Sequence, residues 1–309
     1  MRLKLNLIDK NVDTLATALL HASQIFSASE DENVILKFGA KYSDRADSVS
    51  VTQHNNPNPQ PNETFFTCGF VGRNEKPEVW LRLRSDVIFK DLICESLREN
   101  AIDITVVPQN ILNAFKYASK MKQTSVRLGR GDGEGGILVW DFRYWTTPTA
   151  ESPDSTSRVF VVVQNIPVNV VRRTDDIKEE PSLPPPDISV ELVRLSKIRG
   201  AVEKFKEMKI QTILLSLSAD GTLMISGSSD DSEIESCFGI MPILGEVRNA
   251  DTSVWLNTSK LLPVLSHFSQ IPLNGNPIMM ISRDFYLCLW CGLDLSLGTI
   301  SCVLPALVL

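Results

Sequence analysis

The sequence predicts an α+β protein of two similar domains, each a mostly antiparallel sheet with its helices gathered on one face. Three observations carry that expectation. A strand, then an amphipathic helix, then several strands recur four times, beginning near residues 2, 101, 188 and 252. Two of these units precede, and two follow, a charged, proline-bearing stretch without apolar period, Arg172–Asp187 (RRTDDIKEEPSLPPPD). The composition, 309 residues with 43% hydrophobic and 22% charged, is that of a globular chain long enough for two cores. The expected partition is a domain over 1–171, a connector over 172–187 and a domain over 188–309.

In the first unit Leu3, Leu5 and Leu7 alternate with Arg2, Lys4 and Asn6, which predicts a strand with one covered face over Arg2–Asp9. The period then changes. Val12, Leu15, Leu19, Ala22 and Phe26 recur at helical spacing and predict a helix over Asn11–Ser27, with Asn11 or Asp13 placed to cap it. Strands are expected at Asn33–Ala40, Ser48–Gln53, Thr64–Phe70, Val79–Arg84 and Asp91–Leu97. The polar, proline-studded Asn55–Asn62 reads as a loop. The second unit opens with a strand at Ala101–Val107 and a helix at Pro108–Met121, its proline suited to the first turn. Strands at Ser125–Leu128, Ile137–Trp145 and Arg158–Val171 follow, separated by the loops Gly129–Gly136 and Thr146–Ser157.

The connector's Pro181, Pro184, Pro185 and Pro186 fix φ and remove backbone donors, which makes an extended, semi-stiff strap. The third unit is a strand at Ile188–Arg194, a helix at Leu195–Met208, then strands at Gln211–Ser218, Thr222–Ser226 and Glu233–Ile240. Asp220-Gly221 marks a hairpin within it. The fourth is a strand at Thr252–Asn257, a helix at Thr258–Gln270, and strands at Pro277–Arg283, Tyr286–Leu293 and Thr299–Leu304. Pro263 should lie near that helix's first turn or kink it.

Net charge is −6, so contact with nucleic acid must come through a local basic patch rather than the whole surface. No export signal and no transmembrane segment are expected, and the six cysteines read as free thiols of a reducing compartment. Cys288-Leu-Trp-Cys291 falls in a strand, where residues three apart face opposite ways, so two packed thiols are expected instead of a metal or redox pair. Nothing in the sequence pairs His21, His54 and His267, and isolated surface histidines are expected. The GxGxxG-like spacing in Gly129–Gly136 precedes a strand, not the helix a dinucleotide loop requires, and reads as a hairpin loop. The sequons at Asn62 and Asn257 carry no weight without export. Ser228–Ser236 reads as an exposed acidic hairpin. No catalytic residue, metal or cofactor is expected.

On helical wheels, Asn113, Lys116 and Lys120 group opposite the apolar stripe of the second helix. On the third, Lys197 and Lys204 share one flank, Arg199 and Lys206 the other, with Glu203 and Glu207 between. Lys260 and His267 share a flank of the fourth, and the first offers Thr17, His21 and Gln24 without lysine. Such lysines either solvate the surface or meet phosphate as point charges without base readout.

A strand-helix-strands unit used four times around a proline-bearing connector resembles the sliding-clamp fold. IPVNVV (Ile166–Val171), Glu180-Pro181, PPDISVEL (Pro185–Leu192), AVEKFKEM (Ala201–Met208), LSLSADGTLMI (Leu215–Ile225) and SCVLPAL (Ser301–Leu307) narrow it. These segments are similar to the Hus-one subunit family of the nine-one-one checkpoint clamp, which includes the fungal Mec-three group. The similarity is dense from Val159 to Ile225 and at the C-terminus, and thin before residue 100, where the Asn/Pro loop has the look of an insertion.

The resemblance implies a DNA sliding-clamp fold and a heterotrimeric ring with two related partners, of Rad-nine and Rad-one type. It implies double-stranded DNA through the hole, read without sequence preference, a dedicated checkpoint clamp loader, nuclear location, no membrane and no catalysis. Helices would line the hole. Lys116, Lys120, Lys197 and Lys204, with Arg199, Lys206 and Lys260 secondary, would face DNA. Subunits would meet through the edge strands Arg158–Gln164 and Ser232–Phe238, with Val159, Val161, Val163, Ile234 and Cys237 at the interface. The connector would cross the outer face. A replicative-type clamp, an enzyme with a site between the halves and a stand-alone scaffold are the other readings. A homotrimer, converging acids, histidines or metal ligands, or the lack of clamp-like partners would distinguish them.

Overall fold

The computed structural model describes residues 1–26, 33–41, 64–71, 76–97, 100–131, 135–146, 158–171, 180–229, 232–249 and 251–307. The expected strand at Ser48–Gln53, the loop Asn55–Asn62, nearly all of Thr146–Ser157 and the connector's front, 172–179, lie outside these residues.

Each alternating segment forms a strand and each 3.6-period segment a helix. Before the connector these are β1 (Arg2–Leu7), α1 (Asp9–Phe26), β2 (Val34–Lys41), β3 (Thr64–Phe70), β4 (Glu78–Arg84), α2 (Ser85–Ile88) and β5 (Phe89–Glu95). Then come β6 (Ile102–Val106), α3 (Pro108–Ala118), β7 (Gln123–Arg130), β8 (Gly136–Thr146) and β9 (Arg158–Val170). After it come β10 (Ile188–Glu191), α4 (Leu195–Glu207), β11 (Thr212–Ser218), β12 (Thr222–Ser229) and β13 (Ser232–Ile240). The chain continues with β14 (Asp251–Asn257), α5 (Thr258–Phe268), β15 (Leu273–Ser282), β16 (Tyr286–Leu293) and β17 (Gly298–Pro305).

Every pairing is antiparallel. Thirteen strands form one sheet in the order β10-β15-β16-β17-β4-β3-β2-β6-β9-β8-β7-β1-β5, and four more form β13-β12-β11-β14. The long sheet therefore runs from the chain's last strand into its first half, where β17 pairs with β4 from Gly298↔Leu83 to Val303↔Glu78. Gly298 has φ +145, and a Cβ there would lie 1.9 Å from the Arg82 carbonyl oxygen, so this seam needs glycine. The four long helices lie side by side as α3-α1-α5-α4, each packed on the next. Under them the inward residues of both sheets join in one core that includes Leu15, Phe66, Phe115, Val202, Phe205, Phe268 and Leu289.

The described part of the connector crosses the face opposite the helices. Leu183 packs on a separate apolar cluster of Met280, Tyr286, Cys288 and Val303, with Ile278 and Trp290 beside it. Glu180 accepts from Arg82 Nε at 2.6 Å and from Ser301 Oγ at 3.0 Å, which ties the strap to both strands of the β4–β17 seam. Tyr286 donates its hydroxyl to the Pro184 carbonyl at 2.6 Å. Asp187 accepts from the Arg283 backbone N–H at 2.7 Å.

Three expectations change. α1 starts at Asp9, because Asn11 does not cap it; Asn11 is buried and donates Nδ2 to the Val87 carbonyl at 2.6 Å, anchoring α1 on α2. The short α2 was not expected, since four residues leave no period to read. Pro263 is the sixth residue of α5, beyond its first turn. The helix tolerates it with a firm start, where the Asn257 side chain accepts from the Ser259 N–H at 2.9 Å.

Candidate assembly edges and nucleic-acid face

The helix row presents its outer surface away from the core. On α3, Ile111, Ala114, Phe115 and Ala118 point inward, which leaves Asn113, Lys116 and, just past the helix, Lys120 exposed. On α4, Ile198, Val202 and Phe205 point inward and split the basic residues between two flanks. Lys206 is exposed and Arg199 half-buried on the flank toward α5, where Arg199 Nη1 donates to Ser269 Oγ at 3.5 Å. Lys197 and Lys204, both exposed, lie on the other flank and line a groove between α4 and β13 with Ile234 and Ser236. Lys260 on α5 is half-buried. The basic residues thus concentrate on the two outer helices.

Both ends of the row carry a strand with a vacant edge. At one end α3 packs on β8 and β9. β9 pairs along its whole length with β8, but its other edge meets β6 only at Asn169 and Val170. The remaining edge is vacant among the described residues, and Val159, Phe160, Val161, Val162 and Val163 are all between 41% and 56% exposed. Val159, Val161 and Val163 point to the outer face. Phe160 and Val162 share the helix face with buried Ile166 and Val168, and Phe160 stacks on Tyr144 at 5.0 Å. Tyr117 of α3 and Trp145 of β8 add exposed aromatic surface. Consecutive exposed apolar residues on both faces of one strand have no explanation within a single chain.

At the other end β13 pairs with β12 alone. Ile234 turns toward α4 and is half-buried. Cys237 faces outward and is exposed, between Glu235 and half-buried Phe238. This edge is polar and charged where β9 is apolar. Sequence reasoning missed Phe160, Val162, Tyr117 and Trp145. The unbroken run Val159–Val163 was the available signal, because a strand with one covered face alternates and this one does not.

The described residues hold no group of three or more metal-ligating side chains. Cys288 belongs to the cluster under the strap and Cys291 to the main core, on opposite faces of β16 as expected. Burial, with Glu180 nearby, pushes the Cys288 thiol up to about 12, and burial pushes Cys291 up to about 11, so neither is a ready thiolate. The glycine-rich segment is a hairpin, with Arg130 opposite Gly136, and only its tip, 132–134, lies outside the described residues. The histidines require a correction. His21 of α1 and His267 of α5 are not isolated: their Nδ1 atoms lie 3.4 Å apart and their ring centres 5.6 Å apart, so the nitrogens face each other across the seam between the halves.

Comparison with known proteins fits this geometry. The family model for Hus1-like protein matches residues 59–260. The chain belongs to the Hus1-like family. Checkpoint protein hus1 of Schizosaccharomyces pombe is 27% identical to this Hus1-like chain over 153 residues, 48% of the chain and 49% of that protein. The chain thus spans about half the length of the curated relative it matches. Two crystal structures share its fold over nearly the whole length. PCNA of Thermococcus kodakaraensis aligns with TM-score 0.58 at 12% identity, covering 99% of this chain and 100% of that one. A chain of the PCNA2–PCNA3 complex of Sulfolobus tokodaii aligns with TM-score 0.56 at 9% identity, covering 98% of each. The sliding-clamp fold expected from the sequence is the fold of the chain.

Proposed function

We propose that this Hus1-like chain is a non-enzymatic subunit of a heterotrimeric DNA damage checkpoint clamp. The ring encircles double-stranded DNA in the nucleus, is placed there by a dedicated clamp loader, and supports checkpoint kinase signalling and recruitment of repair factors. Its domains are 1–171 and 188–309, joined by the connector 172–187. The observation that carries this reading is a single row of helices flanked at both ends by vacant strand edges, β9 and β13. Val159, Val161 and Val163 on one side, and Ile234 and Cys237 on the other, lie at the two joints.

The unlike chemistry of the edges favours a mixed ring. A ring of identical subunits would join the apolar β9 to a β13 edge bearing Glu233 and Glu235, and that pairing desolvates charge against valine. This observation also sets the replicative homotrimer aside. DNA contact rests on Lys116, Lys120 and Lys206, with Arg199 and Lys260 behind them, as point charges toward phosphate. A net acidic subunit can hold DNA when its positive groups gather on one wall.

The test is reconstitution with the Rad-nine-type and Rad-one-type subunits on closed circular DNA. A one-to-one-to-one complex should be retained on circles and slide off when they are cut. In the ring, K116E/K120E should shorten retention and flatten its dependence on salt. A homotrimer of this chain alone, or no assembly with either subunit, would overturn the reading.

A further inference from the structure

Gly200 sits in the interior of α4, where glycine is less stable than alanine because it loses more backbone freedom on folding. Nothing in the chain explains it. A Cβ at Gly200 would meet no atom within 4 Å, and its backbone is not in the left-handed region. Gly200 and Ala201 instead open the groove between α4 and β13, a space of about 360 Å³. Phe205, Met208 and Ile234 supply apolar surface there, and Lys197 and Lys204 stand on its rim. Met208 is 48% exposed, and the groove runs alongside the vacant edge of β13.

We propose that this groove receives a bulky apolar side chain from the edge strand of a different clamp subunit, with an acidic side chain of that strand seated between Lys197 and Lys204. The inference rests on the assembly reading above and adds the chemistry of the partner. The vacant edge supplies main-chain pairing, the space left by Gly200 and Ala201 selects a large side chain, and the two ammonium groups select an adjacent carboxylate. A second copy of this chain does not fit, because β9 from Arg158 to Asn165 carries no acid. Lys197 and Lys204 therefore serve the subunit joint, whereas Lys116 and Lys120 serve DNA.

The experiment measures binding of this chain to each clamp subunit separately, then retention of the reconstituted ring on circular DNA. G200F should melt as the wild type does, bind one of the two subunits at least tenfold more weakly, and bind the other unchanged. K197E/K204E, which alters only exposed side chains, should weaken the same subunit alone and remove the salt dependence of that binding. If both variants bind both subunits as wild type does, or if K197E/K204E assembles normally and loses only DNA retention, the groove has no such role. A wild-type chain that joins neither subunit would overturn the proposed function and the groove's role with it. Wild-type chain that trimerises alone would make the occupant a second copy, against the inference.

Discussion

The facing nitrogens of His21 and His267 give this chain a titratable contact between its halves. One imidazole donates its Nδ1–H to the other's Nδ1, which requires both rings neutral. Burial, and then the neighbouring His21, hold His267 below its ordinary 6.5. The folded protein therefore takes up this proton less readily than the unfolded chain, and stability falls as protons are added. The contribution is fully present above pH 6.5 and declines as pH drops below it, until folded His267 also protonates. Melting temperature followed from pH 8 to pH 5 should fall less steeply for H267N than for wild type, and parallel curves would remove the pair from the acid response. Sequence could not show this contact. The two residues are 246 apart, and each was read only as a polar position on its own helix.

The edge of β9 is where a single element says most about assembly. Strand and alternation were legible, but the outer-face assignment named only half of the exposed apolar residues; Phe160 and Val162 belong to the same surface. Charge placed on an exposed face leaves the fold alone and spoils an interface. V161D/V163D should keep the wild-type melting temperature and lose at least tenfold in binding to the subunit at that joint, measured by titration of the isolated partner. Undiminished binding would show that the joint lies elsewhere. Helices read more reliably than strand ends, because an apolar stripe over three turns fixes a face whereas loops set where strands stop. The basic residues illustrate the limit. A helical wheel placed Lys197 and Lys204 together correctly, but could not show that β13 rises beside that flank and makes it a groove wall.

Across the whole molecule, the fourfold strand-helix pattern was legible and sufficient for the fold, since it dictates which face each element buries. The junction of the halves was not. No local pattern announces that β17 pairs with β4, or that Glu180 reaches both Arg82 and Ser301. The connector had been read as a hinge, yet the halves share a sheet, a core and a helix contact independently of it. A protease site inserted within 172–179 and cut should therefore leave two fragments that co-elute and melt in one transition. Separation on a sizing column would show that the connector, not the seam, holds them.

The seam at Gly298 has a mechanical consequence. Bending the subunit at its middle would require breaking a ladder of backbone hydrogen bonds in register with the core beneath it, whereas parting two chains at β9 or β13 breaks only one strand edge. Each subunit is then a stiff arc, and a ring built from such arcs yields at its joints. Whatever opens it to admit DNA acts as a wedge between chains, and the free energy of opening is set by the surfaces of the weakest joint.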